Sequence, residues 1–218
     1  MKLFISYACW LFISVTVLSC KNNKKNTSAT TNKTDDGAVA QEELIDPLVI
    51  ESKDGVLRYK LTAKPDEISV GGKTFVSNIY NGSYAAPVLV VQQGDSIDLE
   101  FDNQIDKAFN IDGPQDSNLH YHGMGVTPKE PGDNPYVHIR SKKNDSTQMH
   151  YEMPVGIYHK SNIYNYQFWV PKNHPQGTHW YHPHPHGKSE QQQLSGMSGL
   201  LIVDGLIRDH YTEYNDVR

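Results

Sequence analysis

Cysteine is nearly absent from this chain of 218 residues, which contains Cys9 and Cys20 and no other. Both lie near the start of the chain, and Cys9 falls within a segment that has the features of a cleaved signal. From residue 21 onward the sequence offers no thiolate metal ligand, no disulfide partner and no cysteine nucleophile. Any metal site in this part of the chain must therefore do without a thiolate ligand.

Basic blocks and long apolar runs are also scarce. The formal net charge is −5 with both signs interspersed, so we predict no nucleic-acid partner. The apolar run over residues 3–18 is too short and in places too polar to span a membrane. No helical stripe exceeds about two turns, except over residues 189–195, so a helical fold is not expected.

The N-terminal segment has the pattern of an export signal. Lys2 precedes the apolar run, and residues 17–20 (V-L-S-C) resemble the lipobox of bacterial lipoproteins. The resemblance implies that residues 1–19 are removed and that Cys20 is lipidated. Residues 20–45 are polar and poor in aromatic side chains, which predicts a flexible tether. We therefore expect a lipid-anchored protein of the cell envelope, on the periplasmic or outer-membrane face. An ordinary secretory signal and an uncleaved anchor are the alternatives.

Residues 46–207 have the length of one domain, and strand signals dominate them. Residues 96–102 alternate between apolar and acidic side chains, whereas residues 88–91 and 199–203 are continuous apolar runs, typical of strands buried on both faces. The many short strands predict an all-β, antiparallel Greek-key β-sandwich. Residues 127–162 are predicted to form a long loop with a strand near 148–153, and residues 208–218 a C-terminal tail.

Two histidine pairs carry the chemistry of this domain. His120 and His122 form one pair, and His182 and His184 form the second, each with spacing i, i+2. In an extended strand, alternate side chains point to the same face, so two adjacent strands would bring four imidazoles together. Imidazole is a ligand for copper, zinc, iron and nickel. The spacing therefore predicts a metal site.

The flanks of both pairs resemble those of multicopper oxidases. Residues 118–123 (N-L-H-Y-H-G) are similar to the family's L-H-x-H-G segment, and residues 177–184 (G-T-H-W-Y-H-P-H) to its G-T-x-W-Y-H-x-H segment. The resemblance covers residues 55–207 and implies the family's N-terminal, plastocyanin-like domain with a cupredoxin fold. In the family such domains supply half of the histidines of a three-copper cluster that reduces O₂ to water.

The resemblance implies roles for individual residues. His120 corresponds to a ligand of the type 2 copper, and His122, His182 and His184 correspond to ligands of the type 3 pair. Asp133 corresponds to an acidic residue near the cluster, a candidate proton relay, although an ordinary turn aspartate is the alternative.

The other histidines are expected to lie outside the site. His186 shares the parity of the second pair and is a further candidate ligand, but a loop histidine is the preferred interpretation. His179 has the opposite parity and is expected to face away. The remaining five are expected at the surface or in turns: His138, His150, His159, His174 and His210. Trp180, Tyr181 and Met124 are expected to pack beside the site.

A blue-copper site needs a cysteine thiolate, so the sequence predicts no type 1 copper in this chain. The family's remaining motifs, with the other four cluster histidines, are also absent from it. We therefore expect it to be incomplete as an oxidase, with the other multicopper oxidase domains as partners in the same full-length chain or a separate subunit. The alternative is a membrane-tethered module that binds or sequesters copper without catalysis.

Overall fold

The computed structural model describes residues 46–106, 115–142 and 155–206. The predicted signal, Cys20 and the tether lie outside the described residues, as do the C-terminal tail and the strand expected near 148–153. Eleven strands and one helix are described. In chain order they are β1 (Val49–Glu51), β2 (Val56–Val70), β3 (Lys73–Tyr80), β4 (Val88–Val91), β5 (Ser96–Asn103), β6 (His120–His122), β7 (Val137–Ile139), β8 (Ile157–His159), β9 (Ile163–Trp169), β10 (Gly177–His182), α1 (Ser189–Leu194) and β11 (Gly199–Val203).

The strands form two main sheets. The larger has the order β1-β4-β11-β10-β6, and the second has the order β3-β2-β5-β9. A small third sheet pairs β7 with β8, within the stretch that was predicted to be a long loop. The all-β sandwich is therefore confirmed, and the site strands β6 and β10 lie side by side at one edge of the larger sheet.

The expectation of a purely antiparallel sandwich was wrong, because four strand pairs are parallel. They are β1 with β4, β4 with β11, β2 with β5, and β7 with β8. Period-two alternation reports which face of a strand is buried and not the direction of its neighbour. The apolar run of β4 does correspond to a mostly buried strand with parallel neighbours on both sides. The expectation that residues 199–203 are buried on both faces was wrong, because Leu200 of β11 is 46% exposed.

The core fills the space between the two main sheets. Strand β5 contributes every second side chain, and the two site strands contribute aromatic rings from the face opposite to the histidines. Fully buried members include Leu57, Leu61, Leu89, Leu99, Phe101, Tyr121, Tyr166 and Tyr181. Burying one such side chain stabilises the fold by about 1.5–3 kcal/mol. The histidine strands are thus anchored by the core on one face and free to present ligands on the other.

Helix α1 occupies the only helical stretch anticipated from the sequence, within residues 189–195. Its buried residue is Gln192, which contacts the segment before β6. Within the described ranges, no helix is long and apolar enough to cross a membrane.

Candidate metal site

Antiparallel pairing of β6 with β10 sets the geometry of the site. His120 lies directly opposite His182, and His122 lies opposite Trp180, so these four side chains share one face. Tyr121 and Tyr181 oppose each other on the other face and are buried in the core. Residues distant in sequence are therefore brought into one cluster by strand register.

The imidazole cluster consists of His120, His122 and His182, with one potential ligand atom of each lying within 4.8 Å of the other two. Nδ1 of His122 is 3.3 Å from Nε2 of His182. His184 adjoins this trio, with its ring centroid 5.3 Å from that of His120 and 6.1 Å from that of His182. The structure thus brings together all four histidines singled out by their spacing.

The position of His120 is fixed by Asp133, which lies in the loop between β6 and β7. Asp133 Oδ1 is 3.0 Å from Nδ1 of His120 and also accepts a hydrogen bond from the backbone N–H of Tyr121. A hydrogen on Nδ1 that points to a carboxylate leaves Nε2 with a free lone pair, the arrangement usual for metal-binding histidines. Asp133 is therefore both a turn residue and a direct partner of the site.

His182 is held in a defined tautomer by the chain that follows it. Its Nδ1–H donates to the carbonyl of Pro183 at 2.9 Å, which leaves Nε2 facing the cluster. Burial lowers the pKa of His182 to about 4, and the neighbouring imidazoles of His120, His122 and His184 contribute in the same direction. The ring is consequently neutral near pH 7, as a metal ligand must be.

His184 is held through its backbone. Its N–H donates to Oδ1 of Asn118 at 2.6 Å. Nδ1 of its ring is buried and has no hydrogen-bond partner. Burial also lowers the pKa of His184, with His120 adding to the effect. The ring as a whole is partly buried, but a buried nitrogen without a hydrogen-bond partner is costly unless something binds it.

These observations fit a transition-metal ion. Two imidazole–metal bonds of about 2.0–2.1 Å at a tetrahedral angle place their nitrogens about 3.3–3.4 Å apart. The separation between His122 and His182 nitrogens is 3.3 Å. All donors are uncharged nitrogens, which suits copper and zinc more than the oxygen-seeking ions calcium and magnesium. His120, His122 and His182 could hold such an ion, with His184 in reach of a neighbouring position.

Trp180 covers one side of the cluster. Its ring lies 4.0 Å from that of His182 and 5.1 Å from that of His122, at 30° to each. This agrees with the packing role expected from sequence. Met124 likewise packs in the core just after β6.

Among the described residues, the remaining histidines other than His184 lie apart from the trio. His186 is exposed and stacks on Tyr136, and His179 contacts His174. The expectation of surface or turn positions was wrong for His138, which is a buried residue of β7, and His174, although in a turn, is also buried. His159 is partly exposed, whereas His150 and His210 lie outside the described residues.

Two residues that support the site were not predicted from the sequence. Asn118 bonds the backbone of His184, and Gln192 bonds the segment before β6. Both are polar and almost fully buried. For Asn118, the available signal was its position two residues before His120, on the same face of an extended segment. An amide buried there needs hydrogen-bond partners, which it can find in neighbouring segments.

Comparison with known proteins supports the class suggested by this geometry. Residues 139–206 match the sequence profile of a family described as multicopper oxidase. Over 206 residues the chain is 26% identical to a multicopper oxidase of Staphylococcus haemolyticus, covering 89% of this chain and 39% of the relative. It is 27% identical over 137 residues to copper resistance protein A of Pseudomonas syringae pv. tomato, covering 63% of this chain and 17% of that protein. The chain thus spans about two fifths or less of these relatives.

A solved structure shows the same architecture. The multicopper oxidase of the hyperthermophile Aquifex aeolicus superposes with a TM-score of 0.56 at 23% identity, covering 81% of this chain and 33% of that one. Fold and site together define a cupredoxin-like domain with a cluster of imidazoles at one sheet edge. The chain is thus similar in sequence to multicopper oxidases and to a copper resistance protein, and similar in fold to a multicopper oxidase.

Proposed function

We propose that this chain is the copper-binding N-terminal domain of a multicopper oxidase and supplies His120, His122, His182 and His184 to a copper cluster. The observation that supports it best is the trio of converging imidazole nitrogens at spacing suited to a metal ion. The alternation of the two histidine pairs on paired strands explains why these residues converge.

Copper held by neutral nitrogens can change oxidation state without a change in ligand charge, which is the chemistry that the metal supplies when bound. The protein's own part is to present lone pairs. Asp133 orients His120 through Nδ1, and Pro183 does the same for His182 through its carbonyl. Depressed pKa values keep His182 and His184 unprotonated, so protons compete weakly with the metal near neutral pH.

Asp133 has a second proposed role. Its carboxylate lies within hydrogen-bond distance of a ligand imidazole while remaining mostly buried. A carboxylate so placed can accept and return a proton at Oδ1 while its backbone partner, the N–H of Tyr121, holds it in place. We propose it as the proton-handling residue of this half of the cluster.

The other half of the cluster is proposed to come from the remaining multicopper oxidase domains, in the same full-length protein or in a second subunit. His122 is exposed, so a partner surface can reach the metal from that side. The alternative function is a membrane-tethered module that binds or sequesters copper without catalysis. Both functions agree with the lack of cysteine in residues 21–218, since a thiolate site would then lie in another domain or not exist.

Copper titration of the isolated chain tests the proposal. We expect wild-type protein to bind Cu(II), and we expect the His120→Ala/His182→Ala variant to lose at least one equivalent. His159→Ala, which removes a histidine that pairs with Glu130 and not with the cluster, is the control and should bind as wild type does. Copper-loaded wild type should lack the intense blue band of a thiolate-bound copper.

Equal stoichiometry in all three proteins would reject the site. A strong blue band from the pure chain would overturn the argument from cysteine. If the site is present, reconstitution of oxidase activity by adding the missing domains separates the oxidase from the sequestering module, because the latter gains no activity.

A further inference from the structure

We propose that Asn118 is a positioning residue that links the two histidine pairs and aims His184 at the cluster. This inference rests on the proposed copper-binding function and adds to it a residue that touches no metal. The evidence is the set of hydrogen bonds made by one buried amide.

The Asn118 side chain is fully buried, and both of its polar atoms have protein partners. Its Nδ2 donates to the carbonyls of Pro135 at 3.0 Å and Val137 at 2.7 Å. Its Oδ1 accepts the backbone N–H of His184 at 2.6 Å. A single side chain therefore ties together the strand that carries His120, the loop after Asp133, and the chain at His184.

The bond to His184 matters because His184 lies beyond the end of β10. The last ladder pair joins His182 to His120, so strand pairing does not extend to residue 184. Pro183 stands between and has no N–H to donate. Among the described contacts of His184, the bond to Asn118 is the one that fixes its backbone.

Gln192 of α1 supports the same segment from the other side. Its side chain donates to the carbonyl of Asp116 and accepts from the hydroxyl of Ser117, both at 2.9 Å. The segment that precedes β6 is thus hydrogen-bonded to α1 on one side and to the loop between β6 and β7 on the other. Asn118 belongs to this segment and also bonds the backbone of His184.

The expected effect is on metal affinity and not only on folding. Partners that orient ligands typically contribute 10- to 100-fold to metal affinity. Without the amide oxygen, the backbone of His184 loses its partner, and its ring loses a fixed direction. We therefore expect Asn118→Ala to weaken Cu(II) binding by about 10- to 100-fold, with a changed copper EPR spectrum.

Asn103 provides a matched control. It too is fully buried and bonds two carbonyls, those of Gln115 and Ile139, together with the N–H of Ile105. None of these partners belongs to a histidine pair. Asn103→Ala should lower the thermal midpoint of the metal-free protein about as much as Asn118→Ala does, yet leave the Cu(II) dissociation constant and EPR spectrum unchanged.

A double-mutant cycle with His184→Ala shows whether Asn118 acts through that residue. In the His184→Ala background, Asn118→Ala should cause no greater loss of affinity than Asn103→Ala does. If Asn118→Ala is unfolded by circular dichroism, Asn118→Asp and Asn103→Asp decide instead, since each keeps an acceptor oxygen and loses a donor to two carbonyls. Because Asn118→Asp keeps an oxygen for the His184 N–H, the two aspartate variants should have the same Cu(II) affinity. A tenfold or greater loss confined to Asn118→Asp contradicts the role.

The two proposals fail in different ways. If wild type and His120→Ala/His182→Ala bind copper equally, the proposed function is wrong. If wild type binds as proposed but Asn118→Ala and Asn103→Ala have the same copper affinity, the site stands and only the positioning role of Asn118 is refuted.

Discussion

His138 shows how a single buried histidine can govern the acid stability of this domain. It lies in β7, stacks on Tyr158 at a ring distance of 4.5 Å, and has Nε2 buried without a hydrogen-bond partner. Burial lowers its pKa from 6.5 to about 4, with His186 and Lys188 adding positive charge nearby. The folded protein therefore keeps this ring neutral at pH values at which the unfolded chain would protonate it.

The sign of the pH effect follows from this difference. Between about pH 6.5 and pH 4 the unfolded state binds the extra proton, so stability falls as the pH falls. At pH 5 the titration of His138 lowers the free energy of unfolding by about 2 kcal/mol relative to neutral pH. Urea unfolding of the metal-free protein should show that the free energy of unfolding falls less between pH 7.5 and pH 5 in His138→Gln than in wild type. An identical pH dependence would mean that His138 titrates normally in the fold.

At the same scale, the sequence predicted which histidines lie together but not the residues that support them. Spacing and parity were sufficient for His120, His122 and His182, because both are local properties of a strand. They do not account for His184, which lies beyond the end of β10. Asn118 and the buried position of His138 depend on contacts between distant segments, which no local pattern reports.

Strand β10 depends on a close fit between Tyr181 and its cross-strand neighbour Gly199. A Cβ added at Gly199 would lie 2.3 Å from the Tyr181 ring and hydroxyl. The ring has little room to move, since it is fully buried and its hydroxyl donates to the carbonyl of Pro87 at 2.7 Å. The absence of a side chain at residue 199 thus keeps the strand that carries His182 in place.

Gly199→Ala should therefore destabilise the protein by about 1–3 kcal/mol, as overpacking of a core does. We also expect weaker copper binding, because the displaced Tyr181 adjoins His182 in the chain. Gly125→Ala is the control: its Cβ would meet no atom closer than 3.8 Å, so chemical denaturation should find it close to wild type. Equal stability of the two variants would show that Tyr181 relocates without cost.

Elements were predictable wherever a local pattern had one structural meaning. The alternation in β5, the apolar runs of β4 and β11, and the position of α1 were all evident from sequence. The parallel pairings were not, because direction depends on chain connections. Strands β7 and β8 were missed because each has three residues, too few to establish a period.

For the molecule as a whole, we propose from the sequence that it is attached to a membrane through Cys20. Acyl chains there would hold the domain at a lipid surface by burying CH₂ groups. In fractionated cells, wild type should sediment with membranes and need detergent for release, whereas Cys20→Ser should lose the lipid, as shown by mass spectrometry of the purified protein. A wild-type protein without lipid would contradict the anchor, and the Asn103→Ala variant, unaltered at its N-terminus, should fractionate as wild type does.

The position of β6 at the edge of the larger sheet has a mechanical consequence. This three-residue strand is hydrogen-bonded within the sheet to β10 on one side, so it is prone to fraying, as is β1 at the opposite edge. An ion bound by His120, His122 and His182 would cross-link β6 to β10, joining chain positions as far apart as 122 and 182. Binding of the ion would then make β6 more rigid. Removal of the ion would make β6 more mobile, although this strand is needed to bind the ion again.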